Sequence, residues 1–148
     1  MKYLNFVGSS HLSARHGLPQ TLQRQFSQAD DQFKSNFCVG EIKSCPGATY
    51  CHDQFLDSFV KLALDQRSET EYQGQVNIVI FGSNDQREIS MLPNYLIPGA
   101  IEKFKYKVKN FFERMVSFED SMLIVLSIII PRQSTKVDLN RIVEDIVR

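Results

Sequence analysis

The chain lacks net charge, an even set of cysteines, any long apolar run and every glycine-rich phosphate motif, and each absence removes a class of function. Lysine plus arginine and aspartate plus glutamate stand at 17 each in 148 residues, so no overall field draws the protein to nucleic acid or to an anionic membrane. The three cysteines, Cys38, Cys45 and Cys51, cannot all pair within one chain. Their spacing, even with His52 beside Cys51, follows no paired-cysteine zinc pattern, so no metal site is expected. They read as small apolar residues in a reducing, intracellular compartment. No segment approaches the ~18 consecutive apolar residues of a membrane span. The apolar run after Met1-Lys2 is too short for a signal-peptide core. Without a P-loop or a G-x-G-x-x-G turn, no nucleotide and no other cofactor is implied.

A single domain is the expectation, long enough to bury roughly two-thirds of its unfolded surface. It shows no repeat and no low-complexity tract. The one charge-dense run, Lys103, Lys105, Lys107 and Lys109, has a two-residue spacing that spreads it around a helix, as on a solvated face.

Val76 to Phe81 is a β-branched and aromatic run too short for a helix and broken by Gly82, which makes it a buried strand. Tyr3 to Val7, ended by Gly8, and Phe37 to Ile42, ended by the turn cluster Ser44-Cys45-Pro46-Gly47, read as two earlier strands. Met122 to Ile130 is an almost unbroken apolar run before Pro131-Arg132, the pattern of a strand buried on both faces. Helical spacing fills the intervals. Leu18 to Phe33 carries Leu18, Leu22, Phe26 and Ala29 on one stripe, with Pro19 near its start. Tyr50 to Leu64 carries Phe55, Phe59, Leu62 and Ala63, and Ser68 to Gln75 is a polar linker. Ile101, Phe104, Val108, Phe111, Phe112 and Met115 form the clearest stripe. Leu139, Ile142, Val143, Ile146 and Val147 form the last. The order β-α-β-α-β-α-β-α argues for an α/β fold with a parallel sheet and right-handed crossovers.

Three small polar turns follow strands: Gly8-Ser9-Ser10-His11, Pro46-Gly47-Ala48-Thr49 and Gly82-Ser83-Asn84-Asp85. In a parallel sheet the C-terminal strand ends share one edge, so these turns converge in space. A serine beside glycine N–H groups and a side-chain amide has the parts of a nucleophile with an oxyanion hole. Taken singly, each is ordinary: serine caps helices and asparagine makes Asx turns.

At these residues the chain resembles the SGNH, or GDSL-like, hydrolase family of esterases and lipases, through most of its length and in family order. The resemblance implies a flavodoxin-like three-layer sandwich with strand order 2-1-3-4, the family's fifth strand being absent. It makes Ser10 the catalytic nucleophile in the place of the family's G-D-S turn, with Ser9 standing where the aspartate would be. It makes the Ser10 and Gly47 N–H groups and the Asn84 amide the oxyanion hole, Gly82-Ser83-Asn84-Asp85 matching the G-x-N-D turn in full. Ile129-Ile130-Pro131-Arg132 resembles the segment after the family's fourth strand. The implied ligand is a small ester or an acylated carbohydrate or lipid.

The family's D-x-x-H segment, which supplies the general base, is not found, and the expectation is a C-terminally truncated domain. Asp138-Leu139-Asn140-Arg141 has arginine in the histidine place, and a guanidinium stays protonated and accepts no proton from serine. His11, His16 and His52 read as surface or capping residues, so the base is unknown. Two functions follow: an ester hydrolase acting through an acyl-enzyme, or a pseudo-hydrolase whose crevice binds an acyl or sugar ligand or a protein. A flavodoxin-like module binding a partner or phosphate would rest on fold alone. Loss of a fifth strand leaves the fourth as an edge, a surface for homodimerisation.

Overall fold

A computed structural model describes residues 1–13, 17–117, 120–127 and 138–147, the side chains of His11 and Ser127 excepted. Its strands are β1 (Lys2–Gly8), β2 (Phe37–Ser44), β3 (Gly74–Phe81) and β4 (Ser121–Ser127). They form one sheet in the order β2-β1-β3-β4, every pair parallel. This is the doubly wound α/β arrangement the alternation implies. The winding reverses between β1 and β3, and in such sheets ligand crevices open at that reversal, beyond the C-terminal strand ends.

On one face of the sheet lie α1 (Leu18–Ser27) and α2 (Asp31–Asn36). There Phe6, Leu12 and Ile80 form a small core, with Leu4, Leu18, Leu22, Val39, Ile42 and Ile78 against it. The opposite face carries α3 (Asp53–Gln66), α4 (Ser83–Ser90), α5 (Ile97–Val116) and α6 (Leu139–Val147). Of the stripe on α5, Phe104, Val108, Phe111, Phe112 and Met115 are buried, each worth about 1.5–3 kcal/mol over exposure, and Ile101 packs against the core partly buried. Lys103, Lys105 and Lys109 are exposed around α5, while Lys107 pairs with Asp53 of α3 at 2.8 Å.

Three local expectations are revised. The helix expected over Leu18 to Phe33 is two helices. Asp30 has extended backbone and caps α2, accepting the Phe33 N–H at 2.7 Å, so the chain turns there. The residues after Gly82 are not simply a turn but the first turn of α4, whose buried residues are Asp85, Gln86 and Ile89. Finally, β4 is not buried on both faces. Leu123 and Val125 pack into the larger core, while Met122 and Leu126 stay 59% and 47% exposed on the other side. Ile128 to Arg132 lie outside the described residues.

A polar cluster sits inside the larger core. Asn5 Nδ2 donates to Gln66 Oε1 at 2.8 Å and to Asn77 Oδ1 at 3.0 Å, and Gln66 Nε2 returns a bond to Asn5 Oδ1 at 2.8 Å. Gln75 Nε2 donates to the Ala63 carbonyl and to Gln66 Oε1, and Asn77 Nδ2 reaches Gln75 Oε1 at 3.3 Å. Asn5 Oδ1 also accepts the Glu41 N–H at 3.1 Å, where a register shift in β2 takes that group off the ladder. These four amides break the apolar-in rule, and each is hydrogen-bonded, as buried polar groups must be.

Candidate functional site

The β1 turn comes first. After Gly8 the chain makes a single 3-10 turn over Ser10–Leu12, with Leu12 N–H donating to the Ser9 carbonyl at 3.1 Å and Ser13 N–H to the Ser10 carbonyl at 3.0 Å. Leu12 is buried against Phe6 and Ile80, which anchors the turn from below. Ser10 is left half-buried at the surface, its hydroxyl without a partner among the described residues. Ser9 is fully buried, and its Oγ has no hydrogen bond among the described residues.

Beyond β2, Cys45 to Ala48 make a tight turn closed by Ala48 N–H to the Cys45 carbonyl at 3.0 Å. Pro46 and Gly47 occupy its two central places, and Gly47 has φ of 82°. That combination is a type II turn, whose third residue needs the left-handed region. The Gly47 N–H has no acceptor among the described residues. The Cys45 N–H donates to the Gly8 carbonyl at 3.1 Å, which seats this turn beside the β1 turn.

Beyond β3, Gly82 caps α4 at φ of 120°, a conformation open to glycine. Asn84 and Asp85 then fall in the helix's first turn and face the β2 loop. Asn84 Nδ2 donates to the Ala48 carbonyl at 3.1 Å, and Asp85 Oδ1 accepts the Tyr50 N–H at 3.1 Å. One N–H of the Asn84 amide is therefore committed to holding the loop, and one remains. The Tyr50 ring is held below by Phe81, Phe104 and Phe112, at centroid separations of 5.2, 5.6 and 5.9 Å. The three turns are thus laced into one rim over an aromatic floor.

Asp85 is the electrostatically unusual member. It is 3% exposed, and its second oxygen has no hydrogen bond among the described residues. Burial raises its carboxyl to about 7, against the lowering effect of the Tyr50 and its own backbone N–H groups, with Glu88 adding to the rise. The Tyr50 hydroxyl, buried and likewise without a partner among the described residues, is pushed far up by burial and then by Asp85. The sequence gives little signal for either role, since both residues sit in short polar or aromatic stretches with an ordinary turn reading.

His52 heads α3 near the same rim, exposed, with Nδ1 accepting the Thr49 N–H at 3.0 Å. A neutral ring held this way carries its proton on Nε2 and donates from it, so it is not set to accept a proton from serine. The His11 side chain and His16 lie outside the described residues. Asp138 accepts the Arg141 N–H at 3.3 Å at the start of α6, a capping role. Among the described residues no group of three His, Cys, Asp or Glu is placed to hold a metal, and no helix is long and apolar enough to cross a membrane.

No protein-family profile, curated protein or solved structure matches the chain.

Proposed function

We propose that the rim at the C-terminal edge of the sheet is an acyl-ester site of the SGNH type which binds its ligand through oxyanion donors and has no general base among the described residues. It is in this sense a pseudo-hydrolase. What supports this reading is the hydrogen-bonded convergence of the Ser10, Gly47 and Asn84 turns at the point where the sheet reverses its winding. The Ser10 hydroxyl would approach the ester carbon, while its N–H, the Gly47 N–H and the remaining Asn84 N–H would receive the carbonyl oxygen. Each such donor is worth about 3–4 kcal/mol to a developing oxyanion. A hydroxyl without a base stays protonated and is a weak nucleophile. Binding therefore exceeds turnover, which falls to the residual level an oxyanion site alone sustains.

The test pairs binding with chemistry. The protein and its Ser10→Ala variant are titrated with short-chain ester and acetylated-sugar ligands by thermal shift, and 4-nitrophenyl acetate release is followed in parallel. Stabilisation with no Ser10-dependent release supports the proposal. Fast release abolished in Ser10→Ala replaces it with the esterase reading, and absence of any stabilisation removes both.

A further inference from the structure

The face of the sheet away from Tyr50 and Asp85 holds an apolar groove of about 370 Å³, open to solvent and bounded by α1 and α2 above β1 and β2, with Gln25, Asp30 and Phe33 exposed at its rim. Its walls include Phe6, Leu22, Phe26 and Phe33, and the polar residues lining it are Gln25 and Asp30. No lysine or arginine lines it. The helices stand off the sheet: neither α1 nor α2 buries a single residue completely, although Leu22 and Phe26 point their stripe at the sheet. The break between the helices falls at the mouth. There Asp30 spends one oxygen on the Phe33 N–H, and its other oxygen has no partner among the described residues. Phe33 packs edge-on to Phe26 at 5.6 Å and stacks on Phe37 at 4.9 Å, so the wall on that side is aromatic and continuous with β2.

We infer that this groove binds a single-chain amphiphile of medium length whose head donates hydrogen bonds and bears no negative charge, such as a fatty alcohol. The volume lies in the range of small-molecule sites. The head chemistry follows from Asp30 and Gln25. A carboxylate at the mouth accepts from a hydroxyl or ammonium and repels the carboxylate of a fatty acid, with no cation in the lining to offset it. This site is independent of the rim at Ser10 and stands or falls without it.

The probe is N-phenyl-1-naphthylamine, uncharged and fluorescent in apolar surroundings, added to the full chain, which contains no tryptophan to overlap with it. The expected result is a rise in emission reversed by 1-decanol or decylammonium, with decanoate at least tenfold weaker as a competitor. Ala29→Phe, which fills the groove, abolishes the decanol-sensitive signal, whereas Leu126→Ser, on the open face of β4, leaves it unchanged. Asp30→Asn keeps a good helix cap, so it folds, and it brings decanoate to within about threefold of decanol. Decanoate binding as tightly as decanol in the unaltered protein overturns the inference. So does probe binding that survives Ala29→Phe and is lost in Leu126→Ser.

Discussion

Replacing Asp85 by asparagine should bring a gain in stability that is absent near pH 4 and grows as the pH rises to neutral. The folded carboxyl is raised to about 7 from an ordinary 3.8. Between those values the folded chain keeps a proton that the unfolded chain has released, so stability falls as pH rises through this window and levels off above it. At 1.36 kcal/mol per unit the full loss is about 4 kcal/mol, a large share of the roughly 5–15 kcal/mol that holds a domain together. Asparagine is nearly isosteric, its oxygen can still accept the Tyr50 N–H, and it never ionises. Near pH 4 both side chains are neutral, the carboxyl with one buried O–H donor and the asparagine amide with two N–H donors, so the difference between the proteins starts at or somewhat below zero. It should then climb by about 4 kcal/mol towards Asp85→Asn by about pH 8. Urea unfolding followed by far-ultraviolet circular dichroism at several pH values measures it, and subtraction cancels every other titrating group. A difference that stays flat across the window, or that favours the aspartate above pH 7, would refute the assignment of this carboxyl as buried and uncompensated.

Asn5→Ala should cost about 3 kcal/mol in urea unfolding, because it leaves Gln66, Asn77 and the Glu41 N–H short of partners, each worth about 1–3 kcal/mol when buried and unpaired; a loss below 1 kcal/mol would mean water replaces the amide. Gly40→Ala should be at least as damaging, since a Cβ there would clash with Asn5 Oδ1 and lie 2.6 Å from Gln66 Nε2, and wild-type stability in that variant would show the cluster to be loose. Gly47→Ala meets open space and should lose only about 1–2 kcal/mol from its left-handed backbone, readable as a small shift in unfolding midpoint. The exposed apolar side of β4 should pair two copies edge to edge, so sedimentation should show a concentration-dependent dimer that Ile124→Lys dissolves; a monomer at the highest soluble concentration would contradict this.

The strands were legible because their signal is local. Val76 to Phe81 is apolar, β-branched and stopped by a glycine, and nothing tertiary was needed to read it. The α4 helix was not legible, because Ser83–Ser90 carries only Ile89 as an apolar residue and buries Asp85 and Gln86 instead, so hydrophobic spacing has nothing to register. The break at Asp30 has no glycine or proline, and its one mark is a capping carboxylate inside an otherwise helical stripe. Apolar content in Met122 to Ile130 told of a strand, described over Ser121–Ser127, but not how many of its faces are covered, which depends on what packs against each side of the sheet. At the rim, the order of the three turns could be read from residue types, whereas the commitment of the Asn84 amide to Ala48 and of Asp85 to Tyr50 is a property of the folded loop and leaves no spacing behind.

The buried amides also bear on how the strands find one another. On the inner face of β1, Tyr3, Asn5 and Val7 alternate with the residues turned to the other side, so a slip of two residues against β3 keeps every side chain on its proper face. Apolar burial is nearly blind to such an error. In the native register Asn5 stands opposite Asn77, and a two-residue slip would set Tyr3 or Val7 there and strand several carboxamides in a dry interior at about 1–3 kcal/mol each. The cluster works as a key cut for one alignment of the central strands, and its worth lies in the misassembled sheets it makes untenable as much as in the bonds it forms.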